Sequence, residues 1–148
     1  MRASNIPIPE AHLAALGLDA AAHWLVPLRL PVTSRRWLVA TPLVAGGVAV
    51  AAWAVRSAGD VDLERDGELV TRGAFAVSRN PMYVGWAAAT LGVAVAARSA
   101  PLLAAWVAAV HHVDGEVRAE ERRLAARHGG AYASYASRVP RYLPLTPR

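Results

Sequence analysis

The chain has 148 residues, the length of one domain, and 55% of them are hydrophobic, with a mean hydropathy of +0.26. Soluble domains average about 45–50% apolar residues including glycine, and about 25% charged residues. Here only 18% are charged, and insertion into a membrane explains both deviations. Because cysteine is absent, the sequence excludes a disulfide framework, a thiolate nucleophile and a thiolate metal site.

The first apolar segment covers residues 12–28 and is interrupted by polar positions. Asp19 and His23 lie inside it, and Pro27 ends or kinks it. The segment suits either a first transmembrane span that faces the interior of a bundle or an interfacial helix. We count it as the first of four expected spans.

The clearest span covers residues 37–55, which carry no charge. A helix of this length reaches roughly 28 Å, close to the bilayer core of about 30 Å. Trp37 and Trp53 lie near its two ends, where aromatic belts form. Gly46 and Gly47 predict that a neighbouring helix approaches closely.

The next apolar region is broken once, at Arg98, which is costly at the middle of a bilayer. Ser99 is a favoured N-cap, and Pro101 suits the first turn of a helix. The sequence therefore predicts two helices, residues 83–97 and 100–113, joined by a tight turn. Each is short for a full span, so tilt or local thinning of the bilayer is needed.

The arginines divide unequally between the two sides of a four-span topology. All sixteen basic residues are arginine, and twelve of them lie before the first span, between the second and third, or after the fourth. The positive-inside rule places those twelve in the cytoplasm. We therefore predict an all-α integral membrane helical bundle of about four transmembrane helices, a single domain over residues 1–148, with a cytoplasmic C-terminal segment at 114–148.

That C-terminal segment is amphipathic in its first half. The pattern predicts a helix to about His128, a break at the two following glycines, and then a short helix with Tyr132 and Tyr135 on one side. Prolines beyond it predict an extended tail.

Polar residues concentrate in two stretches, 70–83 and 116–128. The last two helices form a hairpin, so the two stretches are expected to meet at the cytoplasmic face. Each stretch allows two interpretations. Glu120 and Glu121 belong either to a solvated helix with ion pairs or to a site in which one carboxylate binds a cationic ligand group.

The stretch that contains Arg79, Asn80, Pro81 and Tyr83 is either an anchor at the membrane interface or part of a binding site. In the second interpretation Arg79 holds an anionic group and Tyr83 flanks a flat ring.

Two histidines, His111 and His112, end the last span. Consecutive residues do not share a helix face, so a two-histidine metal site is not expected there. They form either a polar cap at the interface, or one of them lines a ligand pocket.

Two segments together resemble a known family. They are "LVTRGAFAVSRNPMYVG" (69–85) and, after a hydrophobic hairpin, "EVRAEERRLAARHGGAYASYASRVPRYLP" (116–144). They resemble the isoprenylcysteine carboxyl methyltransferase and phospholipid methyltransferase superfamily, small integral membrane enzymes that use S-adenosylmethionine. The family motifs read approximately V-T-x-G-P-Y/F-x-x-x-R-[HN]-P-x-Y-x-G and E-E-x-x-L, then G-x-x-Y-x-x-Y and V-x-R-[YW]. Both occur in order over about residues 37–143.

Three positions depart from the family pattern. Ala74 replaces a frequent proline, and His128 replaces an aromatic residue. Asn80 stands where eukaryotic relatives have histidine, and asparagine does not titrate near neutral pH.

The resemblance implies a pocket for S-adenosylmethionine with two walls and a lid. One wall is formed by Arg79, Asn80, Pro81, Tyr83 and Gly85. The other is supplied by Glu120 and Glu121, one of which pairs with the ammonium of the methionyl group, while Tyr132, Tyr135 and Arg138 close the pocket. Arg79 and the two glutamates would carry the catalytic roles. If the acceptor is an amine, its proton would pass to Glu120, Glu121 or His112; a carboxylate acceptor needs no base.

The expected function is therefore methyl transfer to a carboxylate or amine of a lipid-like or isoprenoid-linked acceptor. The expected partners are the bilayer and that acceptor, with no nucleic acid and no metal. We expect the bacterial inner membrane, with the active site on its cytoplasmic face. Two alternatives are an NADPH-dependent reductase of the steroid reductase type and a non-catalytic membrane protein that retains the fold. The sequence shows no large steroid-binding N-terminal half, which disfavours the reductase.

Overall fold

A computed structural model describes residues 14, 17, 31, 34–59 and 69–143. These residues are all-α, with no β-strand among them. The first expected span, residues 12–28, lies outside the described residues except at two isolated positions. Within residues 34–59 and 69–143 there are two 3₁₀ turns, η1 (Ser34–Arg36) and η2 (Gly73–Ala76). The same residues form four α-helices, α1 (Trp37–Ala58), α2 (Pro81–Ala97), α3 (Ala100–His128) and α4 (Gly130–Arg138).

Helix α1 contains the whole of the expected span at 37–55. Together with η1 it forms Ser34–Ala58, which among the described residues is the one helix long and apolar enough to cross a membrane by length and composition. Trp37, Leu38 and Val39 are exposed on it, so its N-terminal part presents apolar side chains outward. Helix α2 is also apolar but has only 17 residues.

Helices α1 and α2 pack backbone to backbone through glycines. A Cβ on Gly85 of α2 would lie 2.6 Å from the carbonyl oxygen of Gly47 and 2.8 Å from the amide nitrogen of Ala51. A Cβ on Gly92 would lie 2.8 Å from the carbonyl oxygen of Ala40. The close helix approach predicted at Gly47 is therefore confirmed. Gly46 takes no part in it, since a Cβ added there would have no described atom within 4 Å.

The turn between α2 and α3 lies where the sequence predicts it, with the predicted N-cap residue. Arg98 adopts the left-handed conformation (φ 58°) that ends α2, and Ser99 Oγ accepts a hydrogen bond from the amide of Leu102 at 3.1 Å. The predicted N-cap is thus confirmed. Arg36 Nε donates to the carbonyl oxygen of Ala96 at 3.2 Å, which satisfies one of the free acceptors at the end of α2.

Helix α3 runs without a break through position 113, where the hydrophobic stretch ends. Its 29 residues correspond to about 43 Å, so one rigid rod joins the apolar hairpin to the polar C-terminal region. Leu102 packs against Ala94 of α2, and Trp106 Nε1 donates to the carbonyl oxygen of Ala87 at 2.8 Å. These contacts fix α3 relative to α2 and hence fix the position of its charged half.

The chain turns sharply after α3, as the two glycines predicted. Gly129 has φ 52°, and its amide donates to the carbonyl oxygen of Ala125 at 2.9 Å. Helix α4 follows and buries Tyr132 and Tyr135. Residues 139–143, which we call the strap, then return to the start of α2.

Candidate functional site

The carboxylate of Glu121 lies between two arginines that come from distant parts of the chain. Arg79 donates from Nε to Oε1 at 3.0 Å, and its Nη2 is also 3.0 Å from Oε1. Arg141 donates from Nε and Nη2 to Oε2 at 3.0 and 2.8 Å. The side chains are 13%, 12% and 30% exposed for Arg79, Glu121 and Arg141. We call these three residues the charged triad.

The triad holds Glu121 in its ionised form. Burial by itself raises the pKa of Glu121, but the hydrogen bond from Arg141 and the charges of Arg79 and Arg141 outweigh burial, so the pKa lies below its usual value. The hydrogen bond to Glu121 likewise raises the pKa of Arg141. With both oxygens occupied and a lowered pKa, Glu121 is a fixed anion and a poor proton acceptor.

Arg79 also joins the start of α2 to the end of α4. Its Nη1 donates to the carbonyl oxygens of Ala136 at 2.9 Å and Val139 at 3.3 Å. Its backbone amide donates to the carbonyl oxygen of Pro140 at 2.9 Å. A single side chain thus contacts α3, α4 and the strap, which gives Arg79 a central positioning role.

Asn80 and Ser78 complete the contact with the strap. Asn80 Nδ2 donates to the carbonyl oxygen of Arg141 at 3.2 Å and lies 3.5 Å from Oε1 of Glu121. Ser78 Oγ donates to the same carbonyl oxygen at 3.2 Å and accepts from the amide of Asn80 at 3.1 Å. Asn80 therefore acts as a neutral hydrogen-bond donor. This role does not require a titratable side chain at position 80.

A second carboxylate of α3 anchors the end of the strap. Asp114 lies two helical turns before Glu121, on the same side of α3. Its Oδ1 accepts from the hydroxyl of Tyr142 at 2.9 Å, and its Oδ2 accepts from Arg118 Nε at 2.6 Å. Hydrogen bonds from Arg118 and Tyr142 lower the pKa of Asp114, while burial and the bond to Asp114 raise the pKa of Tyr142.

The two tyrosines of α4 have different environments. Tyr135 donates to the carbonyl oxygen of Phe75 at 2.7 Å, and burial raises its pKa to about 12. The hydroxyl of Tyr132 is buried and has no hydrogen-bond partner among the described residues, and burial also raises its pKa. The two rings pack edge to face with centroids 6.2 Å apart. Nε2 of His128 is likewise buried without a described partner.

The structure does not bring Glu120 and His112 to the triad. The Glu120 side chain is 50% exposed and pairs with Arg123 at 3.3 Å. His112 is 65% exposed and lies 3.4 Å from Glu116, one turn further along α3. Of the two glutamates singled out in the sequence, Glu121 is enclosed and Glu120 stays accessible.

The first turn of α2 holds the other expected wall residues. Pro81 is the buried first residue of the helix, and Tyr83 is half-buried in the same turn. Gly85 faces α1, and its lack of a side chain serves the contact with Gly47.

Arg141, and not the Arg138 expected in the lid, is the arginine of the C-terminal segment that contacts Glu121. Arg138 is exposed and donates to the carbonyl oxygen of Ser134 on its own helix at 3.1 Å, whereas Arg141 binds Glu121. The signal was present, because Arg141 is the arginine of the V-x-R-[YW] pattern. Ser78, Asp114 and Tyr142 were also missed, since no spacing rule links them.

No cluster of three or more histidine, aspartate or glutamate side chains with metal-binding geometry occurs among residues 34–59 and 69–143. The site's polar chemistry in this part of the chain comes instead from guanidinium, carboxylate, amide and phenol groups.

Comparison with known protein families gives a match over the first three helices. A family model described as phospholipid methyltransferase matches residues 36–129. The matched region contains α1, α2 and α3, with Arg79 and Glu121, and ends before α4 and the strap. No curated protein matches the chain, and no solved structure matches it.

Proposed function

The chain belongs to the phospholipid methyltransferase family, because the family model covers more than half of its 148 residues, and from this premise we propose a specific activity. The family is membrane-associated, and its members are methyltransferases in general. We propose that this chain transfers a methyl group from S-adenosylmethionine to a carboxylate or amine of a lipid-like or isoprenoid-linked acceptor. We also propose that it is a bundle of four transmembrane helices whose site faces the cytoplasm of a bacterial inner membrane.

The observation that carries the proposal is the charged triad. It connects Arg79 of the first family motif, Glu121 of the second, and Arg141 of the strap through bonds of 2.8 to 3.0 Å. An enzyme that works by aligning its two substrates needs side chains that are held in position before the reaction begins. The hydrogen bonds within the triad hold its three side chains in this way.

Two buried polar atoms at the junction of α3 and α4 and one accessible carboxylate of α3 suit a ligand with the polarity of S-adenosylmethionine. The Tyr132 hydroxyl and Nε2 of His128 are buried and lack partners among the described residues, so they have hydrogen-bonding capacity to offer. Glu120 is the accessible carboxylate next to the site and suits the ammonium of the methionyl group. Bound S-adenosylmethionine supplies a methyl group already activated by its sulfonium, and the protein supplies position and electrostatics.

The structure also ranks the candidates for a proton acceptor. Glu121 is unsuited, because two arginines occupy its oxygens and lower its pKa. His112 points to an exposed position beside Glu116, away from the triad. Glu120 is accessible, but its pairing with the cofactor's ammonium opposes proton uptake by the same argument, so an amine acceptor would have to react from its unprotonated form. If the acceptor is a carboxylate, no base is required.

A membrane setting is supported by the apolar helices and by the arginine distribution. Helix α1 with η1 is long enough to cross, and α2, with 17 residues, reaches about 26 Å. The triad lies at the ends of α2 and α3 that the positive-inside rule assigns to the cytoplasm. An acceptor with a hydrocarbon chain would then reach the site sideways from the bilayer.

The first test is calorimetric binding of S-adenosylmethionine to the detergent-purified protein, with NADPH as the control ligand. We expect micromolar binding of S-adenosylmethionine alone. Glu120→Gln should weaken it about tenfold, the equivalent of roughly 1.4 kcal/mol. Glu116→Gln is the matched control, because Glu116 is an exposed glutamate of the same helix paired with His112, and it should leave the affinity unchanged.

Absence of S-adenosylmethionine binding to folded protein would refute the methyltransferase proposal, and binding of NADPH instead would favour the reductase. A second measurement identifies the acceptor group. Methyl label transferred into a bacterial lipid extract is released by mild base if it forms an ester, and it is retained if it is bound to nitrogen.

A further inference from the structure

Three arginine residues lie at the end of the α1–α2 pair that is remote from the charged triad. Arg35 and Arg36 belong to the turn η1 just before α1, and Arg98 is the residue at which α2 ends. Arg36 Nε donates to the carbonyl oxygen of Ala96 at 3.2 Å, so its guanidinium group lies against the last turn of α2. We call Arg35, Arg36 and Arg98 the arginine cluster.

No carboxylate of the described residues balances this cluster. The acidic residues in that part of the chain all lie in the second half of α3, from Asp114 to Glu121. Asp114 is about 21 Å along α3 from Ala100, where that helix begins beside the cluster. The first turn of α1 also holds no acidic residue, and positive charge is unfavourable at a helix N-terminus because of the helix dipole. An external anion would balance both effects.

The guanidinium group of Arg36 is held in a defined orientation. Its Cζ lies 5.2 Å from the centroid of the Trp37 ring, and its Nε is bonded to Ala96. The side chain is half-buried, and its two terminal nitrogens make no hydrogen bond with any described residue. A guanidinium group that is fixed in this way and keeps two nitrogens available suits the oxygens of a phosphate group.

An apolar surface continues from the cluster along α1. Trp37, Leu38 and Val39 are 54%, 73% and 53% exposed. A free phosphate ion would contact only the arginines, whereas a phospholipid would place its phosphate on the arginines and its acyl chains over these three side chains. The combination of charge and apolar surface therefore favours a lipid over a free ion.

The arginine cluster and the charged triad lie at opposite ends of α2. Arg79 precedes the first turn of α2, and Arg36 contacts its last turn. The 17 residues of α2 reach about 26 Å, close to the bilayer core of about 30 Å. In a membrane the two groups would therefore lie in the headgroup regions of opposite leaflets.

We propose that the arginine cluster binds the phosphate group of an anionic phospholipid in the leaflet opposite the charged triad. Arg36 is the central donor, and the acyl chains of the lipid lie over Trp37, Leu38 and Val39. This site is separate from the site of methyl transfer, and the inference rests only on the membrane setting of the proposed function. The bound lipid balances the charge of the cluster and joins η1 to the end of α2.

Binding of lipid to the detergent-purified protein tests the site. Three probes are titrated in an uncharged detergent: dioctanoyl phosphatidylglycerol, dioctanoylglycerol and inorganic phosphate. Arg36→Gln and Arg35→Gln should each weaken binding of phosphatidylglycerol about fivefold, which is what one arginine contributes near an anionic lipid surface. Arg35 is exposed and makes no hydrogen bond or ion pair with a described residue, so Arg35→Gln separates binding from folding.

Arg127→Gln is the matched control for the loss of one positive charge. Arg127 is an exposed arginine in the last turn of α3, about 40 Å along that helix from Ala100. Its substitution should leave the affinity for phosphatidylglycerol unchanged. The same loss in Arg127→Gln as in the cluster variants, or no loss in either cluster variant, overturns the site.

The other two probes identify what is recognised. Dioctanoylglycerol should bind about tenfold more weakly than phosphatidylglycerol and equally to all four proteins. Equal wild-type affinity for the two lipids overturns a phosphate site. Inorganic phosphate should also bind more weakly than phosphatidylglycerol, and phosphate binding as tight as that of the lipid overturns the assignment to a lipid.

The lipid site and the proposed function fail in different ways. Washing bacterial membranes with alkaline carbonate tests the membrane setting, since it releases proteins that do not span the bilayer. Release of the protein overturns the membrane setting and the lipid site together. If the protein resists the wash but binds no phosphatidylglycerol, the lipid site alone is overturned, and binding of S-adenosylmethionine still tests the methyltransferase proposal.

Discussion

Arg141 donates from both Nε and Nη2 to a single oxygen of Glu121, at 3.0 and 2.8 Å, and leaves the other oxygen to Arg79. One carboxylate on α3 therefore holds together the start of α2 and the strap. Val139 of the strap packs in an apolar cluster with Tyr132 and Tyr135. The carbonyl groups of the next two strap residues accept bonds from Ser78, Arg79 and Asn80. The site and the C-terminal end of the chain thus assemble as one polar unit.

Replacement of Glu121 by glutamine should destabilise the protein strongly. The amide removes the negative charge and leaves two largely buried guanidinium groups facing each other, which costs about 3–5 kcal/mol when a buried pair is broken. We expect the unfolding temperature of the detergent-purified variant to fall by at least about 5 °C. Circular dichroism of the helical signal measures it.

Glu116→Gln serves as the control for this substitution. Glu116 lies on the same helix and pairs with His112, but both side chains are more than half exposed. Exposed pairs contribute about 0–1 kcal/mol, so its unfolding temperature should stay close to that of the wild type. Equal stability of the Glu121 and Glu116 variants would show that the triad does not hold the strap.

Acid should weaken the contact of Glu121 with Arg79 and Arg141. The pKa of Glu121 is lowered below its usual value of 4.5, so its contribution to stability is complete above pH 4.5 and is lost as the pH falls through the lower folded-state pKa. Asp114 also has a lowered pKa and contributes in the same direction. Stability of the wild type should therefore fall steeply below about pH 4.5.

Glu121→Gln provides the comparison for the acid titration, because glutamine does not titrate. The variant should lose less stability than the wild type between pH 6 and pH 3, and the remaining loss would come from Asp114 and other carboxylates. If the stability of both proteins fell equally with pH, this would contradict a lowered pKa for Glu121.

Two adjacent glycines of α1 should respond oppositely to alanine. At Gly47 a Cβ would meet the backbone of Gly85 and of Ala89, so Gly47→Ala must push α1 and α2 apart. Overpacking of this kind costs about 1–3 kcal/mol, and here it also shifts the start of α2. We expect lower thermal stability and weaker binding of S-adenosylmethionine, because Arg79 and Asn80 precede α2 directly.

Gly46→Ala is the matched control, since no described atom lies within 4 Å of its added Cβ. In a soluble helix glycine is about 1 kcal/mol less favourable than alanine, so this variant should be as stable as the wild type or more stable. If both variants lost stability equally, the surroundings of Gly46 would have to include a further packed segment.

Local signals predicted much of the fold, whereas tertiary contacts define the site. Ser99 as an N-cap, the break at Gly129 and the close approach at Gly47 each follow from one residue's own conformational or steric property, and the structure has all three. Arg141 and Asp114 differ, because their roles depend on how the chain returns after α4. The family pattern contained Arg141, but no spacing rule distinguishes it from Arg138 as the partner of Glu121.

The phenol of Tyr135 should stabilise the contact between α4 and the segment before α2. It donates to the carbonyl oxygen of Phe75 at 2.7 Å in a buried position, so Tyr135→Phe leaves that acceptor unpaired at a cost of about 1–3 kcal/mol. Tyr132→Phe removes a hydroxyl without a described partner and should cost nothing. Thermal unfolding of the two variants at pH 8 measures the difference, and equal losses would contradict the assigned hydrogen bond.

Alkaline pH gives an independent test of the same hydroxyl. The pKa of Tyr135 is raised from 10.0 to about 12 in the folded protein. Its contribution to stability is therefore complete below pH 10 and is lost as the pH rises towards 12, because the unfolded chain ionises first. The wild type should lose more stability than Tyr135→Phe between pH 9 and pH 11. If both proteins lost the same amount of stability, the alkaline transition would be due to other groups. Tyr142 is one of these, because its pKa is also raised by burial and by Asp114.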